Sequence, residues 1–370
     1  MKIAIVHDEL LRRGGAEKVF LSFHYAFPEA DIFVAAFNAN NTYSEFGELN
    51  VHTSLFNFIA RDEDQYKKFF YPLGIWAMEL MDLSDYDLIL QSNSHCSKYI
   101  KVSKSAIVIT YCHNPFRLAW NPESYSEYLN ATGIKKTILN FIIHRLKKID
   151  FKYAQRTNYF LTNALEPKER ILKYYNPGIE PIIINPPVTI SNFYVSNKKK
   201  EYYLLISRLE FYKKIDLVIN VFNQLEEKLI IVGKGSKELE LKKMANSNIE
   251  FRKSLSTSEL AELYANCKGF LMPQHEDYGI TPLEANASGR PVIAYAKGGV
   301  LETMIPYQKE ASKCTALFFD EQSEECLFKA IQEFEKIEFD SEFIRNHALK
   351  FDESNFIQKI KEFVLEKAKL

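Results

Sequence analysis

Two glutamates eight residues apart, Glu276 and Glu284, sit in the stretch "QHEDYGITPLEANASGRPVIA" (274–294), on either side of the loop "DYGITPL". Such carboxylates could hold ligand hydroxyls, or they could be ordinary acids at the start of a helix. Thr281-Pro282-Leu283-Glu284 has the form of a capping box, with Thr281 as N-cap, Pro282 at the first helical position and Glu284 at the third. Glu284 therefore has a structural explanation, worth about 1 kcal/mol of helix stability. Glu276 has none. It precedes a helix start, formed by Gly279, Ile280 and Thr281, whose free N–H groups could hold a phosphate.

Cations suited to a diphosphate occur upstream. In "ISRLEFYKKIDLVINVF" (206–222), Arg208 ends a strand-like run and Lys213 follows five residues on, before a helix. Arginine offers bidentate contacts and lysine a compact charge, although a solvated basic turn would look the same. "IVGKGSKELE" (231–240) places Gly233 and Gly235 after a strand, where a tight turn suffices but close approach to a nucleotide is also open. "GGAEKV" (14–19) puts Gly14 and Gly15 at the start of a helix, a setting for phosphate contact or for a simple turn. His113, in "YCHNPFRLAW" (111–120), ends another strand-like run and could touch a sugar or acceptor; an isolated histidine is as readily structural. Gly298 and Gly299, in "YAKGGVLET", read as a turn that lines the same region.

The elements that position these residues alternate. Apolar runs at 2–6, 31–37, 87–92, 106–112, 159–162 and 181–185, each followed by a helix-length segment, read as parallel α/β units buried on both faces. A Pro-Pro and lysine-rich break at 186–201 follows, and the pattern restarts at 202–207, 228–233, 249–252, 269–273, 291–295 and 316–320. At 370 residues the chain exceeds the size at which one core stops growing. The expectation is an α/β chain of two Rossmann-like domains: 1–190, 191–345, and a C-terminal helix in 346–370 that crosses back to the first. Ligands in such sheets bind at the carboxyl ends of strands, with the cleft between two domains as the default site.

The bulk numbers exclude several classes. A net charge of −1 argues against a whole-chain polyanion binder, and no nucleic-acid partner is expected. Five cysteines without a CxxC show no zinc or disulfide framework and fit a reducing, cytoplasmic setting. The amino-terminal apolar run is too short for a signal peptide, and nothing approaches a membrane span. GxGxxG is absent, which weighs against a dinucleotide-dependent oxidoreductase. The basic amphipathic segment 133–156 reads as a packed α/β helix, with peripheral contact with anionic lipid at the inner face of the cell membrane as the alternative.

In this order, "GGAEKV", "SRLEFYKK", "IVGKG" and the E-x7-E spacing of Glu276 and Glu284 resemble the retaining group-1 glycosyltransferases of the GT-B fold, two Rossmann-like domains facing across a cleft. The similarity runs from residue 1 to about 336. "YCHNPFRLAW" and "INPPVTISNF" are most similar to bacterial mannosyltransferases that build lipopolysaccharide or other surface polysaccharides. The resemblance implies a nucleotide-sugar donor, GDP-mannose, and a saccharide or lipid-linked acceptor, with no metal required. It implies that Arg208 and Lys213 hold the diphosphate and stabilise the leaving group, Glu276 contacts the transferred sugar, and Glu284 holds the ribose. It also implies that Gly14 and Gly15 approach the diphosphate and that His113 lies near the sugar and acceptor. Lys214 departs from the family, which usually has glycine there.

The expected reaction is hexose transfer with retention, an oxocarbenium-like sugar lying between His113 and Glu276 and no residue nominated as covalent nucleophile. The rivals are a GT-B transferase of other donor specificity, such as a UDP-sugar, and a non-catalytic subunit that binds a nucleotide without turnover.

Overall fold

The computed structural model describes residues 1–198, 201–308 and 313–368, so Lys199 and Lys200 of the expected linker lie outside it. The chain divides into two compact units, Met1–Pro187 with Phe356–Leu370, and Val188–Asn355. The first unit thus closes three residues before the expected boundary, and the second runs ten residues beyond 345.

The first unit contains β1 (Ile3–His7), β2 (Asp31–Val34), β3 (Val51–Thr53), β4 (Asp82–Leu83), β5 (Leu88–Asn93), β6 (Lys101–Val102), β7 (Ile107–Cys112), β8 (Tyr159–Thr162) and β9 (Ile182–Ile183). Seven of them form a parallel sheet of order β3-β2-β1-β5-β7-β8-β9, while β4 and β6 pair separately. Ala4, Val6, Ile89 and Val108 pack into one apolar cluster; Ile5, Leu88, Leu90 and Ile109 pack into another. Two buried faces explain why these strands are apolar throughout rather than alternating.

The carboxy-terminal helix Glu353–Lys367 contributes Phe356, Ile360, Phe363 and Val364 to the second cluster. Each such side chain taken from water stabilises by about 1.5–3 kcal/mol. The sequence had not pointed to β3, β4 and β6, which are two or three residues long and carry exposed polar positions.

The second unit contains β10 (Tyr202–Ile206), β11 (Lys228–Val232), β12 (Ile249–Arg252), β13 (Cys267–Met272), β14 (Val292–Tyr295) and β15 (Ala316–Phe319), in the parallel order β12-β11-β10-β13-β14-β15. Its core joins Tyr203, Leu205, Ile231, Leu271 and Ile293 to the helices Ile215–Phe222 and Glu324–Phe334.

All strands within each sheet run the same way, so their carboxyl ends share one edge. The chain leaves β10 toward β11 on one side and returns to β13 on the other, which makes the β10/β13 junction the topological switch point of the second unit. In the first unit the same reversal falls between β1 and β5.

The helix Gly133–Ala154 is two-natured. Its later turns pack through Ile143, Leu146, Tyr153 and Ala154, and the buried Asp150 carboxylate pairs with Lys98 at 2.7 Å. Asp150 also accepts from Trp120 Nε1 at 2.7 Å and from the Tyr175 hydroxyl at 2.7 Å. Its first turns leave Ile134, Ile138 and Phe141 exposed on one stripe.

Candidate functional site

In the second unit the loop after β10 carries both expected cations. Leu209 is fully buried and anchors it, while Arg208 beside it is exposed. The loop is locked to the one after β11: the Leu209 N–H donates to the Lys234 carbonyl at 2.9 Å, and the Lys237 N–H to the Leu209 carbonyl at 3.0 Å. A Cβ on Gly233 would fall 1.9 Å from the Ser207 carbonyl oxygen, and one on Gly235 2.3 Å from that of Leu209. Both glycines are therefore required by backbone approach, whatever else Gly233 contacts.

Lys213 closes the short turn Phe211–Lys213, its N–H donating to the Glu210 carbonyl at 3.0 Å. The lysine is only 6% exposed, and its ammonium donates directly to the Glu276 carboxylate. The Arg208 guanidinium lies 5.9 Å from the centre of the Tyr212 ring and the Lys213 ammonium 5.0 Å from it. Lys214 takes the left-handed conformation, φ 54° and ψ 35°. Glycine occupies that region without penalty, whereas a side chain costs about 1–2 kcal/mol. The departure from the family pattern is thus absorbed by the same backbone turn.

Glu276 follows β13. Gln274, nearly buried, reaches its Oε1 with Nε2 at 3.4 Å. The Glu276 carbonyl accepts the Gly299 N–H at 2.9 Å. Gly298 has φ 80°, and a Cβ there would lie 2.2 Å from that carbonyl; one on Gly299 would lie 2.4 Å from the Tyr278 Cα. The pair expected as lining is the seat on which the Glu276 loop rests.

The expected capping box is not formed. The helix runs Ile280–Ala287 with Gly279 as N-cap at φ 88° and no side-chain cap. Positive φ at Gly279 starts the helix one residue before the expected cap, so Thr281 is already inside the first turn and Glu284 lies beyond capping reach. Glu284 instead accepts from the Tyr264 hydroxyl at 2.7 Å. Burial raises its pKa, and the tyrosine bond opposes that rise.

In the first unit Gly15 opens the helix Gly15–Ala26 and Gly14 is its N-cap. A Cβ on Gly14 would lie 2.6 Å from Glu17 Oε2. The first turn where a phosphate was expected therefore already holds a carboxylate. Arg12 binds Glu17 at 3.2 Å, Glu9 at 2.9 Å and Glu63 at 2.7 Å.

His113 follows β7, its N–H donating to the Asn93 carbonyl at 2.9 Å. Its Nε2 lies 2.9 Å from Ser92 Oγ, which is also 2.9 Å from His7 Nδ1. Sheet register explains the group, since His7 and Ser92 are paired residues of β1 and β5. Burial, then the nearby charge of His7, pulls His113 down to about 4.

Sequence reasoning passed over the rest of this cluster, although "HDELLRRGG" directly after a strand was its visible signal. The Asp8 carboxylate accepts the N–H groups of Ser94 (2.5 Å), His95 (3.1 Å), Cys96 (2.7 Å) and Ser97 (2.7 Å), and meets His95 Nδ1 at 3.2 Å. Asp8, His95 and Cys96 are close enough together to hold a metal ion, but that carboxylate is already occupied in tying β1 to the turn after β5.

The structure thus gathers Arg208, Lys213 and Glu276 at the switch point of the second unit. Residues 189–351, nearly all of that unit, match the family model of glycosyl transferases group 1. The second unit is thus similar to the group-1 glycosyltransferases over nearly its whole length, and the chain is a glycosyltransferase. This glycosyltransferase is 26% identical to an alpha-1,3/1,6-mannosyltransferase of Candida glabrata, over 84% of this chain and 79% of that one. It is 25% identical to an O-antigen chain mannosyltransferase of Salmonella typhimurium, over 60% of this chain and 65% of that one, just under two thirds of the relative's length.

Among solved structures it resembles Anabaena HepE in complex with UDP, with a TM-score of 0.71 at 16% identity, covering 99% of this chain and 100% of that one. It also resembles a sucrose-phosphate synthase of Thermosynechococcus elongatus, with a TM-score of 0.72 at 14% identity and full coverage of both chains. The glycosyltransferase has the GT-B fold of these structures.

Proposed function

We propose that this glycosyltransferase moves a mannosyl group from GDP-mannose to a saccharide or lipid-linked acceptor, with retained configuration, in the synthesis of cell-surface polysaccharide or lipopolysaccharide. The observation that carries the reading is the contact between Lys213 and Glu276 beside the exposed Arg208, at the carboxyl ends of β10 and β13. The names of the two mannosyltransferase relatives support the choice of sugar.

Departure of the nucleoside diphosphate develops negative charge. Arg208, Lys213 and the N–H groups opening the helix Ile280–Ala287 would stabilise it electrostatically, without a metal ion being needed. Glu276 would hold the transferred sugar, Glu284 the ribose, and Gly233 would lie along the nucleotide. In the first unit, His113 would serve the sugar and acceptor, while the helix start at Gly14 and Gly15, with the Glu17 carboxylate in its first turn, is not assigned a phosphate. The experiment is nucleoside diphosphate release from GDP-mannose and UDP-glucose by the purified protein. Turnover confined to UDP-glucose would replace the donor, and binding without turnover would favour a non-catalytic subunit.

The proposed location is the cytoplasmic face of the cell membrane. Among the described residues no helix is long and apolar enough to cross a membrane, and all five cysteines are free. Peripheral contact is assigned to the helix Gly133–Ala154: Ile134, Ile138 and Phe141 are exposed among Lys135, Arg145 and Lys148, and its sole acid, Asp150, is buried. Apolar side chains beside cations suit anionic lipid. Sedimentation with anionic vesicles, lost in Ile134→Ser/Phe141→Ser, supports this; equal sedimentation with zwitterionic vesicles removes the electrostatic part.

A further inference from the structure

The hydrogens around Ser92 can be assigned from what each neighbour is able to do. The Ser92 carbonyl oxygen only accepts, and His7 Nδ1 lies 3.0 Å from it and 2.9 Å from Ser92 Oγ, so His7 carries a hydrogen on Nδ1. His7 Nε2 faces Glu17 Oε1 at 3.8 Å, an ion-pair separation rather than a hydrogen bond. Glu17 is in turn held by Arg12, and the His7 ring stacks on Phe20 with centroids 4.9 Å apart.

A protonated Nδ1 cannot accept, so the Ser92 hydroxyl hydrogen has His113 Nε2, at 2.9 Å, as its acceptor. A neutral imidazole that accepts at Nε2 carries its hydrogen on Nδ1. His113 Nδ1 has no hydrogen-bond partner among the described residues and is not one of the sealed, unpartnered polar atoms. It is therefore the ring atom left to meet a substrate.

We propose that the buried series Glu17, His7 and Ser92 fixes His113 as its Nδ1–H tautomer, so that His113 meets the sugar or acceptor as a hydrogen-bond donor and not as a base. Ser92 and His7 are then positioning residues: they decide which ring nitrogen donates without touching substrate. The tautomer follows from the first unit alone, while its use in transfer rests on the proposed function. The groups facing His7 are Asp8, Glu9 and Glu17, which favour its charged form; His113 faces His7, Asp8 and Glu17, with the Tyr111 ring 5.1 Å away. Charge on His7 and neutrality of His113 are mutually consistent, because two imidazolium ions sharing one serine would repel.

The test is nitrogen-15 NMR of histidine-labelled protein near neutral pH. The expected result in the unaltered protein is a His113 hydrogen on Nδ1. Ser92→Ala should move it to Nε2, the form a free imidazole prefers, and Ser92→Thr, which keeps a hydroxyl, should hold it on Nδ1. An Nε2–H signal in the unaltered protein overturns the proposal without any variant having to fold, and so does an unchanged tautomer in Ser92→Ala. Kinetics separate the two layers: Ser92→Ala should lower kcat on the order of 10²-fold, as for a lost preorganised donor, with the donor KM unchanged. A shifted tautomer with full turnover would keep the relay and sink the role of His113 in transfer.

Discussion

The ammonium of Lys213 and the carboxylate of Glu276 are bonded directly to each other, from loops that follow neighbouring strands β10 and β13. Each neutralises the other before any ligand arrives. An incoming diphosphate would compete with Glu276 for Lys213 and release the carboxylate toward the sugar. Lys213→Ala is expected to lower kcat by about 10²–10³-fold, the scale of one lost electrostatic stabiliser. Steady-state transfer assays measure it, and full activity would remove Lys213 from the mechanism.

Arg208 gives a cleaner separation of activity from stability. It is exposed, and its guanidinium lies 5.9 Å from the centre of the Tyr212 ring. Arg208→Ala should therefore change unfolding free energy by no more than about 0.5 kcal/mol, while transfer falls steeply. Arg208→Lys should restore only part of it, because the bidentate geometry is lost. A large drop in melting temperature would show that Arg208 has a structural role.

Gly298 tests the seat of Glu276. With φ 80° and the Glu276 carbonyl 2.2 Å from where a Cβ would stand, Gly298→Ala must displace the loop. The expected cost is about 1–3 kcal/mol of backbone strain, with loss of transfer. Denaturant unfolding and activity should fail together, and normal activity would show that the loop can move without consequence for Glu276.

The histidines of the first unit predict a stability maximum near the ordinary histidine value of about 6.5. His95 is raised: burial alone would lower it, but the charge of Asp8 outweighs burial. His7 is raised likewise by Glu17 and Asp8 against burial. A raised group contributes fully below the unfolded value and loses that contribution as pH rises through the folded one, so stability should fall above pH 6.5. His113 is pulled down to about 4 by burial, so the unfolded chain binds a proton first and stability should also fall from pH 6.5 toward 4. Melting curves across that range check the sign, and His95→Gln should flatten the alkaline limb.

Much of this was legible in the sequence because parallel strands buried on both faces leave continuous apolar runs. Tyr159–Thr162 and Ile249–Arg252 fall where the runs place them. Arg208, Lys213 and Glu276 were visible as polar residues just beyond such runs, and topology does the rest by setting β10 against β13. The capping box expected for Glu284 fails because Thr281-Pro282-Leu283-Glu284 fits one only locally, while the positive φ of Gly279 starts the helix at Ile280, two residues before the expected first helical position at Pro282. The Glu17–His7–Ser92–His113 series was not legible, since it depends on the register that pairs His7 with Ser92 across 85 residues of chain.

The most direct measurement is the rate at which the purified protein, given an acceptor-lipid extract, releases nucleoside diphosphate from GDP-mannose and from UDP-glucose, with Lys213→Ala alongside. The account predicts GDP release coupled to mannosylated product by the unaltered protein and its loss in the variant. Contradiction would be GDP-mannose bound without turnover, turnover of UDP-glucose alone, or equal rates with and without Lys213.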